Sequence, residues 1–424
     1  MAPGKHKRSN NSGGGNQHRN CPILDDHPNL PDILQNFVNT GVRQKEMPEM
    51  LRKNHQISIS LRSVQLIMKE FNVKTVRRNG LSSVEKGMAI LQEAEDDPLG
   101  RWGVRLVKEK LALKGNHISR DHIMAFRKEE NPEATAARHP RTRKVHHHGL
   151  HSSGPNEEWC ADGHEKILLS MGIAIWGVID KCCRLELGLW AVPNARLADV
   201  PPALYLRLVR KLGGMSVQMA TDKGSEMGKL IPLVTTLRQI HQPYISEEVL
   251  PAHKAVKSVY NITRERNWRP LWEKDLGNIA YQYTSGKALI GFHPGDPMHE
   301  GIALWLWGKI VQLRLDSALK ESEIHRVRKQ DGSLLPTGGR RIDFYKRPEE
   351  WGLEDQLIPI PSDDIDRCLA EYDRPNLLQF GTDEMVELCE NLFASIGSPE
   401  LSAKVGWNVF CQMLELAVKE QVIG

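Results

Sequence analysis

Hydrophobic positions in the first 130 residues recur at helical spacing. In "VRQKEMPEMLRKNHQISISLRSVQLIMKEF" (42–71), Met47, Met50 and Leu51 share one face and a short turn runs through His55–Ile59. Ser60 then stands as an N-cap ahead of Val64, Ile67, Met68 and Phe71. The stretch "GRWGVRLVKEKLALKGNHISRDHIMAFRKEE" (100–130) repeats the design. Val104, Val107 and Leu111 line one face, Gly115 ends the helix, and Ser119 caps a second helix carrying Ile123, Met124 and Phe126. Each unit predicts helix, short turn, helix, and each second helix has a basic outer face: Arg62 and Lys69, then Arg120, Arg127 and Lys128. That is the helix-turn-helix pattern, whose second helix can enter a major groove. A plain helical hairpin has the same periodicity, but two basic units in tandem favour nucleic-acid contact.

From residue 157 the period shortens. "HEKILLS", "IAIWGVID" and "LELGLWAV" read as three short strands separated by tight turns, a meander. A helix follows over 198–213 with Leu204, Leu208 and Leu212 in line, and "SVQMATD" (216–222) is a fourth strand that ends on an aspartate. After "KGSE" the pattern predicts a helix over about 227–240, and the segment 253–276 reads as one long helix. This order predicts an α/β layered domain with a mixed sheet flanked by helices. Beyond it, 295–321 is an amphipathic helix with Trp305, Trp307, Ile310 and Leu313 packing on the domain, and 382–420 is an acidic helical pair suited to partner contact or self-association.

Composition divides the chain further. Residues 1–28 are poor in apolar side chains and rich in Gly, Asn, Ser and basic residues, a disordered basic tail whose "KHKR" is a short nuclear-import signal at best. Two helix-turn-helix units span 29–78 and 79–136, and 137–156 is a basic, histidine-rich linker able to run along a phosphate backbone through Arg141, Arg143 and Lys144. The layered core spans 157–350 and an acidic helical region 351–424. Residues 1–150 carry 26 Lys and Arg against 16 Asp and Glu, while the remainder carries 31 against 37. A basic front and an acidic rear suit a chain whose N-terminal part meets a polyanion. No apolar run is long enough for a membrane span, and the polar N-terminus does not read as a signal peptide. Seven scattered cysteines point to reduced thiols in the cytosol or nucleus, with Cys182 and Cys183 as core residues. His146, His147, His148 and His151, with Cys160 and His164, lack the paired spacing of a zinc module.

Three acids carry the candidate chemistry. Asp162 opens the first strand within "WCADG", Asp222 ends the fourth strand 60 positions later, and Glu265 lies 43 beyond that on a helix. Strand tips beside a helix face converge, and three carboxylates together repel one another unless hard cations neutralise them. A pair of Mg²⁺ or Mn²⁺ ions held in this way suits in-line displacement at phosphorus. Asn261 lies four positions before Glu265 on the same helical face, which Trp268 and Trp272 continue. Asp180 and Glu226 read as supporting or plain turn residues.

With these residues in view, the chain resembles the integrase catalytic core of retroviruses, retrotransposons and DDE transposases, and especially the integrase-core proteins of basidiomycete fungi. The family elements W-x-x-D-G, D-x-G-x-E and N-x-x-x-E-R are matched by Trp159–Gly163, Asp222–Glu226 and Asn261–Arg266. Residues 325–345 resemble the segment that closes the integrase region, and the likeness covers about 42–350. It implies an RNase H-like five-stranded sheet and an Asp162, Asp222, Glu265 triad holding two divalent ions. It also implies DNA cleavage and strand transfer on element ends and target, a nuclear location, and a homo-oligomer that brings two ends together. Lys223, Asn261, Arg264 and Arg266 join Arg62, Arg120 and Arg127 as candidate nucleic-acid contacts. The interval from Asp222 to Glu265 is longer than in retroviral integrases. Ser258, at the shorter spacing, cannot ligate in the same way, and Glu247 and Glu248 lack the Asn-x-x-x-Glu context. Two alternatives use the same residues: a domesticated, non-catalytic DNA- or RNA-binding protein, and a nuclease that only hydrolyses.

Overall fold

A computed structural model describes residue 24 and residues 26–130, 150–256 and 261–423. Most of the predicted basic tail and of the predicted linker, with Arg141, Arg143, Lys144 and His146–His148, lies outside the described residues, as does Ser258. The chain forms two compact units, one of residues up to Lys86 with Leu111–Ser119, the other of Gly87–Lys110 with Arg120 onward.

The first unit is helical. Helices α1 (Leu30–Asn39), α2 (Met47–His55) and α3 (Leu61–Glu70) bury Leu30, Leu34, Phe37, Met47, Leu51, Val64, Ile67 and Met68 in one core. Ser60 caps α3 by accepting from the Ser63 N–H at 3.1 Å, as its position predicts. Phe71, expected inside, is 48% exposed. Helix α1 goes beyond the two-helix reading, although Leu30, Leu34 and Phe37 already have helical spacing. Buried His117 closes the unit by bonding Asn39 Oδ1 at 2.9 Å.

Helices α4 (Ser83–Glu95) and α5 (Val104–Leu113) cross the division between units, and α6 (Arg120–Glu130) belongs to the second. The helices expected over 100–130 therefore form, but 79–136 does not stand apart as one body. Within α6, Ile123 is buried and Met124, expected beside it, is 45% exposed.

The second unit is built on a five-stranded sheet in the order β3-β2-β1-β5-β6. Strands β1 (Glu158–Leu168), β2 (Ile173–Asp180) and β3 (Glu186–Val192) form the antiparallel meander. After α7 (Val200–Leu212) and the short strand β4 (Gly214–Met215), β5 (Gln218–Thr221) joins β1 in parallel, and after α8 (Leu230–His241), β6 (His253–Ala255) joins β5 in parallel. The expected helix over 253–276 is thus corrected at its start. His253–Ala255 satisfy their backbone groups against β5, and helix α9 (Ile262–Leu271) begins only at Ile262.

Both faces of the sheet are covered. Trp159, Ala161, Trp176 and Val178 pack with α7 and α8, and with α13 (Ser362–Tyr372), which follows α12 (Arg341–Lys346) and β7 (Ile358–Pro359). Ile173, Ile175 and Leu189 pack instead with α9, α10 (Gly277–Leu289), α11 (Pro297–Ile324), α14 (Asp383–Ser395) and α15 (Gly406–Ile423). Trp305, Trp307 and Ile310 of α11 are buried as expected, while Leu313 is 48% exposed. Cys182 and Cys183 are buried. No helix among the described residues is long and apolar enough to cross a membrane.

Candidate functional site

Parallel pairing runs Glu158↔Gln218, Trp159↔Met219 and Cys160↔Ala220, a constant offset of 60. Extending that register by two residues sets Asp222 opposite Asp162. Strand alternation turns Cys160, Asp162 and His164 to the face that α9 covers. The partner of Asp162 across β2 is Gly177. A Cβ there would meet Arg264 Nη1 at 3.0 Å and the Trp268 ring at 3.1 Å, so the missing side chain lets α9 lie directly on the strands.

Two bonds fasten α9 around Asp162. Trp268 Nε1 donates to Asp162 Oδ2 at 2.8 Å, and Asn261 Nδ2, at the start of the helix, donates to the Ala161 carbonyl at 3.1 Å. Between them, Glu265 is half-buried in the first turn. Asp222 is also half-buried, and its Oδ1 accepts from the Gly224 N–H at 3.3 Å. Gly224 has a local reason too, because the Glu226 carboxylate folds over it where a Cβ would stand.

Burial pushes the Asp162 carboxyl up to about 7, Asp222 and Glu265 push the same way, and the Trp268 N–H opposes them. All three acids therefore share one electrostatic neighbourhood. Among the described residues, however, no three His, Cys, Asp or Glu side chains close into a group that could hold a metal ion. Beside Glu265 opens a groove of about 390 Å³ lined by His164, Lys166, Trp268, Arg269 and Trp272. The His164 ring meets Trp268 edge-on at 5.4 Å, and burial pushes its pKa below the ordinary value.

Other candidates separate by burial. Lys223 and Arg266 are exposed next to the acids, and Arg62 and Arg120 are exposed on α3 and at the start of α6. Three proposed contacts are corrected. Arg264 is fully buried, pairs with Glu186 and stacks 4.0 Å from the Trp268 ring centre. Arg127 is 9% exposed, donates to the Trp102 carbonyl at 2.6 Å and pairs with Asp97 at 3.8 Å. Asn261 is buried against β1. Each is enclosed and held by an internal partner, although Asn261 Oδ1 and the Nε and Nη2 of Arg264 make no hydrogen bond among the described residues. Glu247, weighed against Glu265, is taken by Arg238 and the Ala252 N–H. Gly163 makes room for the Trp176 ring, 3.0 Å from where its Cβ would be.

Gly177 and the bond from Trp268 to Asp162 went unread in the sequence. A glycine inside the apolar strand "IAIWGVID" was the available signal, since it marks a close approach by another element. Trp268, three positions after Glu265, lies on the same helical face, but helical period alone names no partner for it.

No protein-family model matches this chain, and no curated protein matches it.

Proposed function

We propose that the chain is a polynucleotidyl transferase of the DDE type with an RNase H-like core, acting on DNA in the nucleus. The observation that supports this reading is the β1–β5 register, whose constant offset of 60, carried two residues past its last pair, would put Asp222 opposite Asp162 next to the α9 helix that bears Glu265. The donor set fits Mg²⁺ or Mn²⁺: three hard carboxylates, one of them destabilised in its charged form by burial and by the other two. Asp162, Asp222 and Glu265 would hold two such ions, which when bound supply activation of an attacking oxygen and stabilisation of a leaving one at phosphorus.

The chain's own groups do the positioning. Trp268 holds one oxygen of Asp162, so that carboxylate is oriented before substrate arrives. Asn261 ties the start of α9 to the strand beside Asp162 and thereby sets the height of Glu265 over the sheet. Exposed Lys223 and Arg266 meet phosphates, and Arg62 and Arg120 grip the duplex backbone. Water attack at an element end frees a 3′-hydroxyl, which then attacks target DNA. Both steps are phosphoryl transfers governed by positioning and charge.

A non-catalytic nucleic-acid-binding role draws on one specific observation, the absence among the described residues of a closed three-ligand group. Cleavage and joining assays on the parent element's ends, with and without Mg²⁺, compare wild type with Asp222→Asn. Metal-dependent joining lost in the variant supports the transferase. Hydrolysis without joining makes the protein a nuclease, and binding without any metal-dependent chemistry leaves the binding role.

A further inference from the structure

Arg264 and Arg341 gather around the Glu186 carboxylate, with Arg184 close to Arg341. Arg264, fully buried, bonds Glu186, and its Nε and Nη2 make no hydrogen bond among the described residues. Arg341 donates from Nη1 to Ser322 Oγ at 3.1 Å, and its Nε is likewise unpartnered, as is Nε of Arg184. Burial pushes the Arg341 pKa below its ordinary value, and Arg184 and Arg264 push the same way against Glu186. Buried guanidinium N–H groups without acceptors are costly, and Arg341, the one of the three that lines a cavity, carries a fork that suits an oxyanion.

A cavity of about 90 Å³ lies against this cluster, lined by Glu186, Asn267, Lys274, Ser322, His325 and Arg341 among others. Three further acids line it but are already neutralised. Asp275 and Glu321 share Arg314, Glu321 also takes Lys110 at 2.5 Å, and Glu109 pairs with Arg105 at 3.2 Å and approaches His325 at 3.9 Å. The surplus charge facing the cavity is therefore that of Arg341 and Lys274. Its volume leaves room for a single tetrahedral oxyanion.

We propose that this cavity binds a phosphate-class oxyanion, held by Arg341, Lys274 and Ser322. The site is separate from the acid triad, and its occupancy does not depend on catalysis there.

Isothermal titration of sodium phosphate into the full-length chain, against sodium chloride at matched ionic strength, tests the site. The expected result is saturable one-site binding with a dissociation constant on the order of 1 mM or tighter. Lys274→Ala, at a half-buried rim position, and Arg341→Gln should each weaken it about tenfold or more, with thermal unfolding in chloride confirming that each variant folds. No saturable binding to wild type overturns the proposal, and so does unchanged binding to a folded Lys274→Ala protein. Repeating the titration with a saturating 5′-phosphorylated duplex distinguishes the sources. Loss of the phosphate signal assigns the site to a nucleic-acid phosphate, and its persistence assigns it to a free anion. The Asp222→Asn assay reads a different site, so either idea can fail without the other.

Discussion

Burial raises the carboxyl of Asp162 to about 7 and that of Asp180 to about 6, yet different partners hold them. Asp180 accepts from the Asn156 N–H at 2.7 Å and from the Cys183 N–H and thiol at 2.8 Å each. It therefore closes the turn after β2 and has no part in the acid triad. Replacing Asp180 by Ala strands two buried backbone donors and should cost about 2–4 kcal/mol in urea unfolding. Its folded pKa lies above the ordinary 3.8, so its contribution is fully present below that value and is lost as pH rises through about 6. Wild type should accordingly lose stability relative to Asp180→Asn as pH rises; a gap that stays constant or widens would show that Asp180 is charged throughout. Asp162 behaves differently because a donor faces it. Trp268→Phe keeps the ring and removes the N–H that favours the carboxylate, so the Asp162 titration followed by NMR should move above about 7. An unchanged titration would mean that the indole contributes nothing to the acid's charge.

At the scale of elements, the site depends on how closely α9 approaches β2. Gly177 sets that distance, and a methyl group there would strike Arg264, Leu189 and Trp268. Gly177→Ala should destabilise the second unit by about 1–3 kcal/mol, read by thermal unfolding, and should shift the Trp268 indole N–H resonance as its bond to Asp162 lengthens. A variant with wild-type stability and an unmoved resonance would show that α9 has slack there. Pro270 cannot donate within α9, and the helix passes into a π-helical turn over Trp272–Leu276 before α10. Much of this architecture was legible. The meander, α7, α8 and the capped helices announce themselves by period, and the 60-residue offset between Asp162 and Asp222 reappears as the parallel register. What stayed hidden is non-local. His253–Ala255 is too short to show alternation, and only pairing with β5 makes it a strand. Trp268 and Gly177 matter through contacts between elements far apart in sequence, which periodicity within one element cannot reveal.

Over the whole molecule, the basic front of the chain is divided by burial into two populations. Arg62 and Arg120 are exposed, whereas Arg127 is enclosed with Trp102 and Asp97. Sequence period alone put all three on outer faces, because a helix of uncertain neighbours does not say which polar side will be covered. If the proposed transferase grips duplex DNA, the two populations should respond differently to neutralisation. Binding to a phosphate backbone releases counterions, and each lost contact lowers the slope of log affinity against log salt by about 1. Arg62→Ala and Arg120→Ala should each flatten that slope by this amount and weaken binding evenly across sequences, measured by fluorescence anisotropy over about 50–200 mM salt. Arg127→Ala should leave the slope intact and instead lower the melting temperature, because it removes the guanidinium that donates to the Trp102 carbonyl and pairs with Asp97. A reduced slope in Arg127→Ala with no loss of stability would require that helix α6 open to present the residue to DNA. An unchanged slope in both Arg62→Ala and Arg120→Ala would remove the predicted recognition helices from the DNA-binding surface.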